Sequence, residues 1–269
     1  MRRRGFLEDR KVVVDVKNLY KIYKVGDSKV HALNGVSFQV YEGEFCAIVG
    51  TSGSGKSTLL NMLAGLEHPT KGTIAIRGKH IESMTENQLV TFRREHVGFI
   101  FQSFNLMGTM TTLENVALPL TFRGMPKKER IRRAERMVRL VGLEKHKKHK
   151  PNQMSGGQQQ RVGMARALVL DPDIVFADEP TGNLDSVTSA EMMNLMRNVV
   201  NKHHKTLVMV THDNHLASYA DRIIHISDGK ILEIEDNTDR WKTDNIETAK
   251  SVQELEQIRE QENAMMNES

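Results

Sequence analysis

Apolar residues run along this chain in two rhythms, and the change between them divides it. Val12–Leu19 and Val36–Val40 alternate and are β-branched, which predicts strands. Phe45–Val49 is a short unbroken apolar run entering a glycine loop, the pattern of a strand buried on both faces. Ser57–Leu66 then reads as a helix, and Gly72–Arg77 and Val97–Phe101 as strands. From Ser103 to Leu170 the spacing becomes helical. Ile131, Ala134, Val138 and Val141 form one stripe within Arg130–Val141, with arginines between them. Pro151 interrupts, and Gln158–Leu170 carries a second stripe of Val162, Ala165, Leu168 and Val169. Strand patterns return at Asp173–Ala177, Thr206–Val210, Arg222–Ile226 and Lys230–Ile234. Strands on both sides of a helical block predict an α/β core with a helical insertion. The expected organisation is a basic extension (1–11), a core segment (12–102), a helical subdomain (103–171), a second core segment (172–235) and an acidic extension (236–269), read as a mobile appendage or docking tail in which only Glu254–Glu262 could form a helix.

Composition adds limits. The chain has 269 residues, enough for one large domain with an inserted subdomain, and its 39 % apolar and 27 % charged residues are those of a globular protein. The net charge of +4 is too small to demand a nucleic-acid or membrane partner. The charge is unevenly placed: residues 123–150 hold twelve Lys/Arg against three Glu, and 235–269 hold ten acids against four bases. The basic run reads as a solvated helix face. Cys46, alone of its type, excludes an internal disulfide and sits in an apolar run, as a core thiol does. No apolar segment reaches the roughly 18–20 residues of a membrane span, and no apolar stretch follows the basic Met1–Arg4. A cytoplasmic protein is expected, reaching a membrane only through a partner.

The strongest chemical signal follows the buried run. Gly50-Thr51-Ser52-Gly53-Ser54-Gly55-Lys56-Ser57 fits a phosphate-binding loop. Its glycines admit positive φ and close approach of backbone to phosphate, and successive N–H groups make an anion nest at a helix N-terminus. Lys56 can reach the β- and γ-phosphates, and Ser57 offers Mg²⁺ a hard oxygen. A second signal is the apolar strand ending in Asp178-Glu179. Asp178 would hold the Mg²⁺ shell, and Glu179 would polarise an attacking water as general base. His212 and Gln102 follow other apolar strands, at the carboxyl ends where open α/β sheets bind ligands. His212 could hydrogen-bond the γ-phosphate, and Gln102 could sense Mg²⁺ or the water.

A third signal is Ser155-Gly156-Gly157-Gln158, opening a helix about a hundred residues after the loop. Hydroxyl, glycine amides and helix N-terminus make another anion site. Two such devices are economically used by a two-fold dimer, each nucleotide lying between the loop of one subunit and the Ser-Gly-Gly of the other.

Taken in order, these motifs resemble the nucleotide-binding subunit of ABC transporters over roughly Val12 to Ile234. That resemblance implies the P-loop NTPase fold of the ABC type, a mixed-sheet core with an inserted α-helical subdomain. It implies a Mg²⁺-dependent ATPase that dimerises around two ATP and moves integral membrane permease subunits from the cytoplasmic side. It further implies that Tyr23 stacks on adenine, that Thr58 joins the loop in holding ATP, that Asp185 couples the two subunits, and that Gln102 links the nucleotide to the membrane partner. Met154 stands where leucine is usual, a similar volume. The stretches Phe101–Leu106, Ser155–Arg161 and Ala177–Asp185 are similar to the bacterial lipoprotein-release, macrolide-export and cell-division group. The alternative is a soluble ABC-type ATPase acting on nucleic acid or ribosomes, motivated by the basic run. Against it, the chain lacks the coiled-coil insertion of DNA-repair relatives and the second phosphate loop of translation-factor relatives, so no nucleic acid is expected. A binding protein that kept only the fold is disfavoured, because every catalytic position holds a competent side chain.

Overall fold

A computed structural model describes residues 11–237. The basic residues 1–10 and the acidic stretch 238–269, with the helix expected around Glu254–Glu262, lie outside the described residues. Strands β1 (Val12–Val25), β2 (Ser28–Tyr41), β4 (Lys71–Ile76) and β5 (Lys79–His80) make an antiparallel sheet in the order β2-β1-β4-β5. The second sheet has the order β10-β9-β3-β8-β7-β6, from β3 (Phe45–Val49), β6 (Val97–Ile100), β7 (Ile174–Asp178), β8 (Thr206–Thr211), β9 (Arg222–Ser227) and β10 (Lys230–Asp236). Its strands are parallel except the edge strand β10.

Strand β3 shows why the apolar run had no alternation. Cys46 and Ile48 face the antiparallel sheet and α1 (Lys56–Leu63), while Phe45, Ala47 and Val49 face α6 (Ser186–His203). All five are buried, and each large one contributes about 2 kcal/mol by leaving water. The buried ion pair of Arg197 with Asp221 ties α6 to this strand, since Asp221 also accepts from the Phe45 amide at 2.9 Å. A third core joins α3 (Thr112–Phe122), α4 (Lys127–Leu140) and α5 (Gly156–Leu168), and it buries Ala134, Val138, Val141 and Met154.

Several expected boundaries are corrected. Both first strands run longer, because Val25 pairs with Ser28 across a tight hairpin whose outer half stands clear of the core and so lacks a buried apolar alternation. The first helix is Lys56–Leu63 rather than Ser57–Leu66, ending before Gly65 at φ 65°. The helix expected at Gln158–Leu170 is Gly156–Leu168, because Ser155 caps it. Two helices carried no expectation: α2 (Glu86–His96), which buries only Leu89 and Phe92, and α6, whose buried face is largely methionine.

Candidate functional site

The site is built where β3, β6, β7 and β8 end. At the end of β3 the chain turns through Gly50–Gly55 into α1. Gly55 is the N-cap at φ 98°, and a Cβ there would lie 2.3 Å from the Ala32 carbonyl oxygen, so no other residue fits without displacing backbone. The loop encloses a cavity of about 680 Å³ lined by Thr51, Ser52, Gly53, Gly55, Lys56, Ser57 and Thr58, with Glu179 and His212 opposite. Gly50 and Ser54 lie beneath it, and Ser54 is buried.

Lys56 Nζ donates to the Gly50 and Thr51 carbonyls at 2.7 and 2.8 Å, which folds the ammonium back over the loop. Burial pushes its pKa down, and the charges of Glu179 and Asp178 oppose that shift. Ser57 Oγ donates to Asp178 Oδ1 at 3.3 Å. Burial raises the Asp178 pKa, Ser57 opposes the shift, and Glu179 adds to it. A half-buried carboxylate with a raised pKa beside a hydroxyl is a donor pair that a hard divalent cation relieves. Two oxygens at this separation span an edge of the small octahedron Mg²⁺ prefers, to within a few tenths of an ångström. The residues fit Mg²⁺.

Glu179 follows Asp178 in the left-handed region at φ 41°, a conformation costing a non-glycine residue about 1 kcal/mol or more. Its amide donates to Val210 O at 3.0 Å, and its carbonyl accepts from the Gly182 amide at 3.0 Å. The turn aims the carboxylate across the cavity. There Glu179 Oε2 lies 2.7 Å from His212 Nδ1. Since a carboxylate only accepts, the shared proton sits on Nδ1 and leaves Nε2 free.

Gln102 lies apart from the cavity lining. Its Nε2 is 2.7 Å from where a Cβ on Gly182 would stand, so it rests on the turn that follows Glu179. That loop is clamped by residues the sequence reading missed. Gln160 is fully buried and donates to the Pro180 carbonyl at 2.6 Å and the Phe101 carbonyl at 3.2 Å. Arg166 donates to the carbonyls of Phe104 and Asn105 at 2.8 and 2.5 Å, holding two residues at positive φ. Asn183 donates to the Gln102 carbonyl at 3.0 Å. Gln160 stands in a run of three glutamines before the apolar stripe, and nothing in that run sets it apart from its neighbours. Tyr23 lies beside the first helix on β1, its hydroxyl on Glu67.

The Ser155 segment is elsewhere. Ser155 Oγ accepts from the Gln158 amide at 3.3 Å, and Gln158 Oε1 accepts from the Ser155 amide at 3.1 Å. This capping box leaves the hydroxyl proton of Ser155 to donate. Gly157 is pressed against α6: a Cβ there would lie 2.3 Å from Thr188 Cγ2. Thr188 in turn donates from its amide and hydroxyl to Asp185, at 2.9 and 2.7 Å. These bonds, backbone first, hold the Asp185 pKa down. Ser155–Gln158 and Asp185 therefore share one neighbourhood, and none of them lines the phosphate-loop cavity.

The ABC transporter family model matches residues 33–182. This chain belongs to the ABC transporter family. It is 49 % identical over 225 residues to an uncharacterised ABC transporter ATP-binding protein of Thermotoga maritima, covering 84 % of this chain and 96 % of the relative. It is 45 % identical over 220 residues to the macrolide export ATP-binding/permease protein MacB of Hyphomonas neptunium, covering 82 % of this chain but only 34 % of that longer protein. The dimeric ATP-binding cassette MJ0796, solved in a post-hydrolysis state with ADP and Pi, superposes with a TM-score of 0.78 at 43 % identity, covering 83 % of this chain and 98 % of that one. The fold is thus the ABC ATPase cassette, as the motifs implied. These likenesses favour the transporter reading over the nucleic-acid one. Among the described residues, no helix is long and apolar enough to cross a membrane.

Proposed function

We propose that this chain is the ATP-binding and hydrolysing subunit of an ABC transporter complex, working as a two-fold dimer on the cytoplasmic face of integral membrane permease subunits. The observation that carries this reading is the Glu179–His212 pair standing across one cavity from the phosphate loop. Loop amides from Gly50 to Thr58 receive the phosphates, and Lys56 exchanges its two loop carbonyls for phosphate oxygens. Ser57 and Asp178 would hold Mg²⁺, and Gln102, which rests on the turn after Glu179, would join them by turning its amide from that turn. Mg²⁺, when bound, neutralises charge that builds on the phosphates. Glu179 takes the proton of the attacking water, and His212 fixes the Glu179 carboxylate while its Nε2 faces the γ-phosphate side. Ser155, Gly156, Gly157 and Gln158 complete the site of the second subunit, with Asp185 beside them coupling the two. Tyr23 receives the adenine.

Residues 103–171 act as the helical subdomain that carries Ser155. An apolar groove runs along the edge strand β6, between Val90 of α2 and Leu118, Pro119 and Phe122 of α3, with Arg93, Arg94 and Arg166 at its rim. Phe122 is 73 % exposed. The groove adjoins the Gln102 loop, which suits it to a membrane subunit. The permease-fused MacB relatives and the motifs from Phe101 to Asp185 favour an export, lipoprotein-release or force-transmitting partner. Phosphate release from MgATP by the full chain, alone and with its membrane partner, tests the reading. Glu179→Gln should bind ATP normally and lose about 10²- to 10⁴-fold in turnover. Turnover near that of the unaltered chain would overturn the proposal.

A further inference from the structure

Beside the phosphate-binding helix, Tyr23 belongs to a tight polar cluster whose other members, Lys21 and Glu67, have no part in the chemistry described so far. Lys21 and Tyr23 stand two residues apart on β1 and project from the same face. The Tyr23 hydroxyl lies 2.9 Å from each carboxylate oxygen of Glu67. Lys21 Nζ lies 2.9 Å from the same carboxylate and donates to the His68 carbonyl at 2.7 Å. That ammonium also stands 5.2 Å from the centroid of the Tyr23 ring. Lys21 and Glu67 are mostly covered, with side chains 15 % and 29 % exposed, so the pair is not a loose surface contact. Backbone reinforces it: Ile22 donates its amide to Thr70 Oγ1 at 3.0 Å, and Thr70 donates its amide to the Tyr20 carbonyl at 2.8 Å. The segment from Glu67 to Thr70 leaves α1 directly, so α1 and Tyr23 are fastened together.

Two consequences follow from this geometry. A tyrosine ring on a strand ordinarily turns about two side-chain bonds, but here the hydroxyl is pinned at one end and the backbone at the other. Lys21 lies against one side of the ring, so a planar base has the other side to stack on. A cation there draws on the ring through the attraction between ammonium and aromatic face.

We infer that Glu67 and Lys21 are positioning residues for base recognition, holding the Tyr23 ring at a fixed setting relative to the phosphate loop. The inference rests on the reading that Tyr23 receives the adenine. Neither residue touches the nucleotide. Their effect is to order Tyr23 before binding, so that binding need not immobilise it. It is therefore specific to ligands that carry a base.

Equilibrium binding of ATP and of inorganic tripolyphosphate to the full chain separates the possibilities. In Glu67→Ala, ATP should bind about 2- to 10-fold more weakly, the factor set by immobilising one side chain, while tripolyphosphate binds unchanged. Tyr23→Phe, which keeps the ring but loses the anchor, should match it, and the double variant should be no weaker than either single one. Glu67→Gln keeps an acceptor for the phenol and should restore most of the affinity. Equal losses for ATP and tripolyphosphate would mean that Glu67 merely supports the segment after α1, and would overturn the inference. So would unchanged ATP binding in Glu67→Ala where Tyr23→Ala is weakened, although adenine recognition by Tyr23 would then survive. If Tyr23→Ala itself binds ATP normally, the adenine reading fails, and the positioning role falls with it. Should Glu67→Ala fail to fold, Glu67→Gln and Tyr23→Phe carry the same comparison.

Discussion

The loop at Gly50–Ser57 and the segment at Ser155–Gln158 use the same physics but differ in completeness. Each sets glycine amides at the start of a helix, where the N-terminal partial charge favours an anion. The first lies over a cavity with a lysine, a hydroxyl and two carboxylates converging on it. The second presents a capped serine and two glycines, with its back to Leu184 and Thr188, and it lies outside the cavity where those groups converge. An anion-binding helix end is thus only a component, and what faces it decides whether it is a site. The loop has its chemical groups within one chain, while under the proposed dimer the Ser155 segment would find its use when a second chain brings a nucleotide.

That contrast can be broken by substitution. Lys56→Ala should lose nucleotide binding in the single chain and cut turnover by about 10²- to 10³-fold or more, read by calorimetry and phosphate release. Ser155→Arg should leave binding to the single chain intact, yet prevent ATP-dependent dimerisation and lower turnover by about 10²-fold. Mixing the two variants is the sharper measurement. A mixed dimer holds one site with both lesions and one with none, so part of the activity should return. No recovery would break the two-fold arrangement.

Asp178→Asn separates binding from stability. Burial raises the Asp178 pKa above 3.8, so the folded chain holds that proton more tightly than the unfolded one. Stability therefore falls as pH rises from about 4 through the raised value, and the cost persists at neutral pH. Asparagine removes it. The nucleotide-free variant should melt slightly higher than the unaltered chain at pH 7, lose that advantage in acid, and need far more Mg²⁺ for turnover. A lower melting point at pH 7 would count against the buried-charge account. The smallest effect is expected from Gln160→Leu, which leaves the Pro180 and Phe101 carbonyls without that donor. Denaturant titration should show a loss of about 1–3 kcal/mol, with nucleotide binding to the loop retained.

Sequence made the two anion devices legible for a local reason. Each is a contiguous run with its own local demands: positive φ at Gly53 and Gly55 in the first, and a Ser155–Gln158 capping box in the second. The buried strands were legible because β3, β7 and β8 are covered on both faces. Helix α2 escaped because apolar periodicity was the wrong test there, whereas α6 carries Met192, Met193, Met196, Val199 and Val200 at helical spacing and was legible by that test. Helix α2 buries two side chains, yet its Thr85–Gln88 capping box was present in the sequence. Gln160 and Arg166 escaped for a different reason: their partners are carbonyls twenty to about sixty residues away, and no pattern along the chain marks a carbonyl as needing a donor.

Gln160 gives α5 a mechanical character. It sits five residues from Ser155, about 7 Å along the helix, and its amide grips the turns that follow β6 and β7 together. A helix gripped so near its working end is a stiff, short lever with a mechanical advantage near one. In the proposed dimer, a shift of the turn at Pro180 would carry Ser155 with it, toward the nucleotide of the other subunit.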